Sequence, residues 1–247
     1  MSKLDKFLKN YQKGKKISCV TAYDASMSKF LESQDINIVL VGDSLGQVIK
    51  GDKTTHNVSI NEIIYHTNCV MSGINKSLLM VDLPKNTYDT KKQALYYSKK
   101  VLSETHADII KLEVKNNIDI IEYLTKKNIP ICAHLGLLPQ SIKSRSGFRK
   151  YGKTLKEANS IIKNAVSLNT LGVKMILLEC IDTKLSRKIT NNISCPVIGI
   201  GSGPYLDGQV AVIYDLLGIS FNKISSLSKD NSKHIEKIIK EFSKNNK

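Results

Sequence analysis

The sequence predicts an α/β protein with a single (β/α)8 TIM barrel, and three observations support this fold class. The chain has 247 residues, close to the roughly 250 residues typical of such a barrel. Short apolar runs alternate with longer amphipathic stretches, as expected for parallel strands joined by helices. No internal repeat or Pro/Gly/Ser-rich linker is visible. We therefore expect residues 1–247 to form one domain, with a polar C-terminal helix or tail at about 228–247.

Seven apolar runs predict strands, because near-continuous Val, Ile and Leu suit parallel strands covered on both faces. An eighth strand is only weakly indicated. The predicted strands are residues 17–21, 36–41, 77–81, 107–112, 129–133, 174–178, 196–200 and, weakly, 218–221. The predicted helices are residues 24–33, 61–72, 91–104, 118–127, 156–171 and 183–190.

One long irregular stretch, residues 135–154, interrupts this alternation. It contains the polar run SRSGFRKYGK at 144–153. A loop of this length in a compact domain is usually a functional lid or a disordered segment. Residues 225–247 are polar and rich in lysine, which predicts a surface helix with a frayed tail.

The net charge of +15 has two interpretations. A nucleic-acid-binding protein would concentrate Lys and Arg on one stripe or in a known module. Here the lysines are scattered along the whole chain, which favours solvated lysine-rich faces, so we expect no nucleic-acid partner. A positive field could still attract anionic substrates.

Cysteine use and hydropathy indicate a cytoplasmic protein. The five cysteines form no C-x-x-C pair, which is typical of reduced thiols in the cytosol. No apolar run reaches the roughly 18 residues that a membrane span needs. The N-terminal residues lead into no apolar segment of a secretory signal.

Residues that can bind a ligand or transfer a proton lie at the ends of the apolar runs. Because the carboxyl ends of barrel strands share one rim, these residues should meet at one mouth. Buried carboxylates are costly unless paired or metal-bound. A single Asp could instead be a helix N-cap, but the whole set favours a site. Its members are Asp43, Ser44, Asp82, Lys111, Glu113, His134, Glu179 and the glycine-rich segment 199–203.

Several carboxylates with one Lys and one His, and no cysteine, suggest a hard cation with oxygen ligands. Mg²⁺ is typically held by one or two carboxylates and completed by water and substrate. Zinc would favour more His or Cys. His134 could be a ligand, although a hydrogen-bond donor to substrate is favoured. The segment GIGSG at 199–203 fits either a ligand close to the backbone or a tight turn.

A series of short motifs resembles the ketopantoate hydroxymethyltransferase family. They keep the family's order over roughly residues 10 to 220. VGDSLG and the HLGL…PQ string are the most specific. The matching motifs are TAYD at 21–24, VGDSLG at 41–46, YHT at 65–67, VDLP at 81–84, KLE at 111–113, HLGL at 134–137 with PQ at 139–140, LEC at 178–180, PVIGIGSG at 196–203 and DGQ at 207–209.

The resemblance implies a barrel of the phosphoenolpyruvate/pyruvate type and a place in pantothenate biosynthesis. It implies transfer of a hydroxymethyl group from 5,10-methylenetetrahydrofolate to 3-methyl-2-oxobutanoate, giving 2-dehydropantoate through a Mg²⁺-stabilised enolate. It also implies a homo-oligomer, a decamer of ring-like pentamers. The roles implied are metal binding for Asp43, Asp82 and Glu113; substrate binding for Asp43, Ser44, Asp82, Lys111 and His134; and general base for Glu179.

The chain departs from the family pattern in places. The family's glycine-rich loop stands here as SGFRKYGK at 146–153, and Lys85 and Asn86 follow VDLP. The family's segment after the last strand is hard to find at 221–229, and the C-terminus is shorter. Two alternatives remain open: a Mg²⁺-dependent lyase or aldolase on the same barrel, acting on a hydroxy acid, and a basic RNA-associated binding protein.

Overall fold

Eight parallel strands close into one barrel in chain order, with the last strand beside the first. The structure, a computed structural model, describes residues 1–11, 15–142, 148–222 and 231–245. The strands are β1 (Ile17–Thr21), β2 (Ile38–Val41), β3 (Leu78–Asp82), β4 (Ile109–Glu113), β5 (Ile131–Gly136), β6 (Met175–Glu179), β7 (Val197–Ile200) and β8 (Gly208–Ala211). The predicted barrel is thereby confirmed.

Helices separate most of the strands, as the sequence pattern predicted. Three helices lie outside the predicted set: α1 before the first strand and the short α3 and α9. They are α1 (Lys3–Asn10), α2 (Ala25–Ser33), α3 (Leu45–Val48), α4 (Ile60–Met71), α5 (Lys91–Thr105), α6 (Ile118–Lys126), α7 (Leu155–Thr170), α8 (Thr183–Asn192), α9 (Ile213–Leu217) and α10 (Ser232–Asn245). A 3-10 helix at Pro139–Ser141 lies in the segment after β5. Helix α10 lies where the polar C-terminal helix was predicted.

The predicted position of the eighth strand was wrong. Residues 218–221 form a turn after α9, beginning with the left-handed Gly218. The strand is instead Gly208–Ala211, which pairs with β1 and β7. It begins with Gly208 and Gln209 rather than with apolar residues, and a Cβ on Gly208 would lie 2.4 Å from the Ile17 carbonyl oxygen. Close approach of the β1 backbone therefore accounts for the glycine at the start of this strand.

The core has two layers, one inside the barrel and one between the barrel and the helices. Alternate strand residues fill the inside; Cys19, Met80 and Cys132 belong to this layer. Helix α1 covers one end, where Leu4 is buried against the inner layer. Because that end is packed, the carboxyl ends of the strands provide the open mouth.

All five cysteines are free, and Cys19 and Cys132 are buried. Across the described parts of the chain, no helix is both long enough and apolar enough to cross a bilayer.

The Glu32 side chain, in α2, forms hydrogen bonds with the residues just before β3, the strand that ends in Asp82. Its carboxylate accepts backbone N–H groups from Asn75, Lys76 and Ser77 at 3.1, 2.6 and 3.0 Å, and the Ser77 hydroxyl at 2.6 Å. Burial alone would raise the pKa of Glu32, but the hydrogen bonds from Ser77 and the neighbouring backbone lower it to about 2. The ionised carboxylate therefore stabilises the fold.

We predict that Glu32→Gln lowers the free energy of unfolding at pH 7 by about 1–3 kcal/mol, because an amide replaces a carboxylate that accepts four hydrogen bonds. The pKa is depressed in the folded state, so this stabilisation is present above the ordinary value of 4.5 and is lost as pH falls toward 2. Urea titrations at pH 7 and pH 3 measure both effects.

Glu104→Gln, at an exposed position of α5, is the matched control and should leave the unfolding free energy nearly unchanged. An equal loss for both variants would contradict the role assigned to Glu32.

Candidate active site

The predicted chemical residues meet at the carboxyl ends of consecutive strands. Asp82 ends β3, Glu113 ends β4 and Glu179 ends β6. Strand register aligns Asp82 with Lys111 and Glu113 with His134. The prediction that these side chains share one mouth is therefore supported by the barrel's pairing.

A buried ion pair joins Asp82 and Lys111 across β3 and β4. Both residues are almost inaccessible to solvent. Burial would lower the pKa of Lys111, but the charges of Asp82 and Asp43 raise it, so the ammonium stays charged. Burial and the nearby Asp43 raise the pKa of Asp82, against the opposing effect of Lys111. Lys111, one of the predicted substrate-binding residues, therefore forms an ion pair with Asp82 in this structure.

Asp43 and Ser44 lie in the turn between β2 and α3. Asp43 is buried, and within the described chain its Oδ2 has no hydrogen-bond partner. The Ser44 hydroxyl is 2.8 Å from the hydroxyl of Tyr23. Helix α3 begins after Ser44 and α5 after Thr90, so neither Asp43 nor Asp82 occupies an N-cap. The N-cap explanation for the two aspartates therefore fails.

Glu113 is held by a network that sequence reasoning did not find. Its Oε1 accepts the backbone N–H of Gln140 at 2.9 Å. The Gln140 side chain donates to the Leu83 carbonyl and accepts from the Tyr88 hydroxyl. Burial raises the pKa of Glu113 to about 8 despite the Gln140 hydrogen bond. Tyr88 lies in a loop without periodicity, so only the PQ motif at 139–140 pointed to this network.

His134 and Glu179 face each other at the mouth. The His134 Nε2 is 3.3 Å from a Glu179 carboxylate oxygen. Burial lowers the pKa of His134 well below its usual value, so the ring is neutral and the contact is not an ion pair. Burial also raises the pKa of Glu179 to about 7. The Glu179 side chain is still 19% exposed, so a carboxyl with a raised pKa remains accessible from the mouth.

The carboxylates offer a fit to a hard cation. Asp43 Oδ2, Asp82 Oδ1 and Glu113 Oε2 are buried and lack hydrogen-bond partners among the described residues. Such oxygens are costly unless a cation or proton satisfies them. Carboxylate oxygens are ligands that suit Mg²⁺, which is completed by water and substrate, whereas zinc favours His and Cys.

The glycine-rich segment 199–203 forms a structural turn. Gly201 and Gly203 have positive φ values of 65° and 89°. Ser202 between them is fully buried and hydrogen bonded to the Leu178 carbonyl and the Ile181 N–H. Of the two interpretations of this segment, the structure supports the turn.

The long segment after β5 is only partly described. Residues 143–147, which include Arg145, lie outside the described residues. Arg149 pairs with Glu157 and stacks on the Tyr151 ring. Tyr151 forms an isolated parallel bridge with Ile181, just beyond β6. This segment therefore contacts the strand end that carries Glu179.

Comparison with solved structures shows the same barrel in other enzymes. 2,3-Dimethylmalate lyase, a PEP mutase/isocitrate lyase superfamily member, superposes with a TM-score of 0.65 at 9% identity, covering 100% of this chain and 89% of that one. Phosphonopyruvate hydrolase in complex with oxalate and Mg²⁺ gives 0.67 at 9% identity, covering 99% and 87%. At such identities the likeness establishes the barrel fold and nothing more.

Sequence comparison is more specific. 3-Methyl-2-oxobutanoate hydroxymethyltransferase 2 of Aliivibrio fischeri is 42% identical over 218 residues, covering 88% of this chain and 82% of that protein. 3-Methyl-2-oxobutanoate hydroxymethyltransferase of Nitrosococcus oceani is 41% identical over 228 residues, covering 92% and 86%. The sequence profile of ketopantoate hydroxymethyltransferase matches residues 2–246. With these matches spanning nearly the whole barrel, the chain belongs to the ketopantoate hydroxymethyltransferase family.

Proposed function

We propose that this chain transfers a hydroxymethyl group from 5,10-methylenetetrahydrofolate to 3-methyl-2-oxobutanoate, giving 2-dehydropantoate in pantothenate biosynthesis. The observation that carries the proposal is the group of buried carboxylates beside Lys111, with a neutral His134 against Glu179, in a member of this family. Perturbed carboxyl pKa values in a barrel mouth are typical of sites that move protons.

Asp43 and Asp82 would hold the Mg²⁺, and Glu113 would contribute a third carboxylate nearby. Their unpartnered oxygens support this assignment. When bound, the metal supplies a Lewis acid that polarises the keto oxygen and stabilises the negative charge that develops there. Lys111 keeps a permanent positive charge beside the two aspartates, which would favour an anionic substrate. The Ser44 hydroxyl and the neutral His134 ring offer hydrogen bonds to it.

Glu179 would act as the general base that removes the C3 proton of the keto acid. A carboxylate with the ordinary pKa is a weak base, and burial raises that of Glu179 to about 7, near the operating pH. The electron pair left at C3 then forms the new bond to the methylene carbon of the folate as one of that carbon's two C–N bonds breaks. Water replaces the second C–N bond and supplies the hydroxyl group. The two folate nitrogens take up the C3 proton and one proton of the water, and tetrahydrofolate leaves.

The alternative function is that of a Mg²⁺-dependent lyase or aldolase on the same barrel, acting on a hydroxy acid. One of the similar solved structures is a lyase. The two solved structures compared above share the barrel at 9% identity, whereas the hydroxymethyltransferases share about 40% over most of the chain. The transferase should form 2-dehydropantoate only when methylenetetrahydrofolate is added. Cleavage of a hydroxy acid without folate would favour the lyase.

We further propose that residues 1–247 act as one catalytic domain with the polar helix α10 at its end. The composition supports a cytoplasmic enzyme without a nucleic-acid partner. Family membership supports a homo-oligomer, and the resemblance suggests a decamer.

The metal assignment predicts that Asp43→Asn and Asp82→Asn each weaken Mg²⁺ binding at least tenfold, because an amide oxygen replaces a charged ligand. Isothermal titration calorimetry measures the affinity without relying on activity. Asp119→Asn, on the exposed side of α6, is the control. Unchanged affinity in either aspartate variant would remove that residue from the metal site.

A pH prediction follows from Glu113, Glu179 and Asp82. Their folded-state pKa values, about 8, about 7 and about 7, exceed the ordinary values of 4.5 for Glu and 3.8 for Asp. Their stabilising effect is therefore complete below these ordinary values and is lost as pH rises through 7 and 8. Burial lowers the pKa of His134, so its contribution to the unfolding free energy decreases as pH falls below 6.5. Between pH 6.5 and 8.5, the carboxyl groups can therefore be measured without this opposing effect.

Over this window the metal-free protein should lose about 2 kcal/mol of unfolding free energy. Urea titrations at both pH values measure it, and saturating Mg²⁺ should offset much of the loss. The double variant Glu113→Gln, Glu179→Gln should show a smaller decline, because Asp82 still loses its proton in this window. A wild-type stability that is flat or rising would show that these carboxyl groups ionise normally.

The base assignment predicts that the protein exchanges the C3 hydrogen of 3-methyl-2-oxobutanoate with D₂O when Mg²⁺ is present and folate is not. Glu179→Gln keeps the shape but cannot accept a proton, so exchange should fall roughly 10²–10⁴-fold. NMR follows the exchange, and calorimetry should show near-normal Mg²⁺ binding. If this variant exchanges at the wild-type rate, Glu179 is not the general base, and His134 becomes the next candidate.

A further inference from the structure

The end of β6, which carries Glu179, is an unusual piece of backbone. Cys180, directly after Glu179, has a left-handed conformation with φ of 51°. That conformation is uncommon for a residue other than glycine and needs support from its surroundings. Gly136 approaches so closely that a Cβ there would lie 2.2 Å from the Glu179 carbonyl oxygen. The direction of the Glu179 side chain therefore depends on what holds this turn.

Hydrogen bonds from three neighbouring segments hold the turn. The Leu137 N–H donates to the Glu179 carbonyl at 2.8 Å. The Cys180 N–H donates to the Ile200 carbonyl at 2.9 Å, and the Cys180 carbonyl accepts the Tyr151 N–H at 2.8 Å. These bonds are between backbone groups, so side-chain substitutions leave them in place.

Ser202 supplies the side-chain support. Its hydroxyl donates to the Leu178 carbonyl at 2.9 Å and accepts the Ile181 N–H at 2.9 Å. One fully buried oxygen thus joins the residue before Glu179 to the residue after Cys180. The Ser202 carbonyl in turn accepts the Ser186 hydroxyl at 2.6 Å, which ties this loop to α8.

We propose that Ser202 is a positioning residue for proton removal by Glu179: its hydroxyl fixes the left-handed turn at the end of β6 and so aims the base. The inference rests on the proposed function. Without the hydroxyl, the buried Ile181 N–H loses its acceptor and the Leu178 carbonyl loses a donor, and the turn must shift to recover partners. A small misplacement of a base is enough to slow proton transfer, because the rate depends on alignment.

The test is the C3 exchange rate of Ser202→Ala in D₂O with Mg²⁺ and 3-methyl-2-oxobutanoate, measured well below its melting temperature. We expect a fall of at least fivefold, with the dissociation constants for Mg²⁺ and keto acid changed less than twofold. Ser28→Ala is the matched control, because Ser28 is an equally buried serine whose hydroxyl donates to the Val70 carbonyl between α2 and α4. Its exchange rate should stay within twofold of wild type.

A double-mutant cycle with Glu179→Gln separates positioning from general destabilisation. If Ser202 acts through the base, Ser202→Ala should slow exchange no further in the Glu179→Gln background. An equal slowing in both backgrounds would overturn the proposal, and so would a loss below fivefold in the single variant. If Glu179→Gln itself exchanges like wild type, the base assignment fails, which is a distinct outcome from failure of the Ser202 role.

Ser202→Cys provides a second test if the Ser202→Ala protein does not fold. The thiol keeps the shape but is a weak donor and a weak acceptor. Its exchange rate should also fall at least fivefold, again without a change in binding. A wild-type rate in Ser202→Cys would contradict the proposal.

Discussion

The buried ion pair between Asp82 and Lys111 is the interaction on which the rest of the mouth depends. Burial alone would lower the pKa of Lys111 and favour loss of its charge. The charges of Asp82 and Asp43 raise that pKa, so the ammonium stays protonated. In return, the ammonium allows several acidic groups to be packed into a small volume. Removing either partner would leave an uncompensated buried charge, which is far more costly than losing a surface pair.

The same arrangement explains why the acidic residues differ in character. Asp82 has a direct cation partner, whereas Glu113 is satisfied on one oxygen by a backbone N–H and Glu179 faces a neutral imidazole. Burial raises the carboxyl pKa of all three toward neutrality, and only for Asp82 does the charge of Lys111 strongly oppose this effect through a direct contact. The three carboxyl groups thus share raised pKa values but differ in the groups that they face.

Sequence reasoning found most of this mouth because each apolar run stops at a charged residue. Asp82, Glu113 and Glu179 are each the last residue of their strand, so strand direction alone placed them together. The pairing of Asp82 with Lys111 was not predicted, since it depends on the register of two strands. Strand β8 was missed because it begins with Gly208 and Gln209, and because the apolar residues that follow continue into α9. The contact of Tyr88 with Gln140 joins residues 52 apart in the chain, and no local pattern encodes it.

The bridge between Tyr151 and Ile181 has a consequence for how such an enzyme can diversify. The segment after β5 departs from the family pattern, yet it touches the end of β6 through main-chain atoms at Tyr151. Because those contacts do not depend on side-chain identity, substitutions elsewhere in the segment need not move the end of β6, where Glu179 lies. Mutational drift can thus change the side chains of the segment while the residues at the strand ends stay in place.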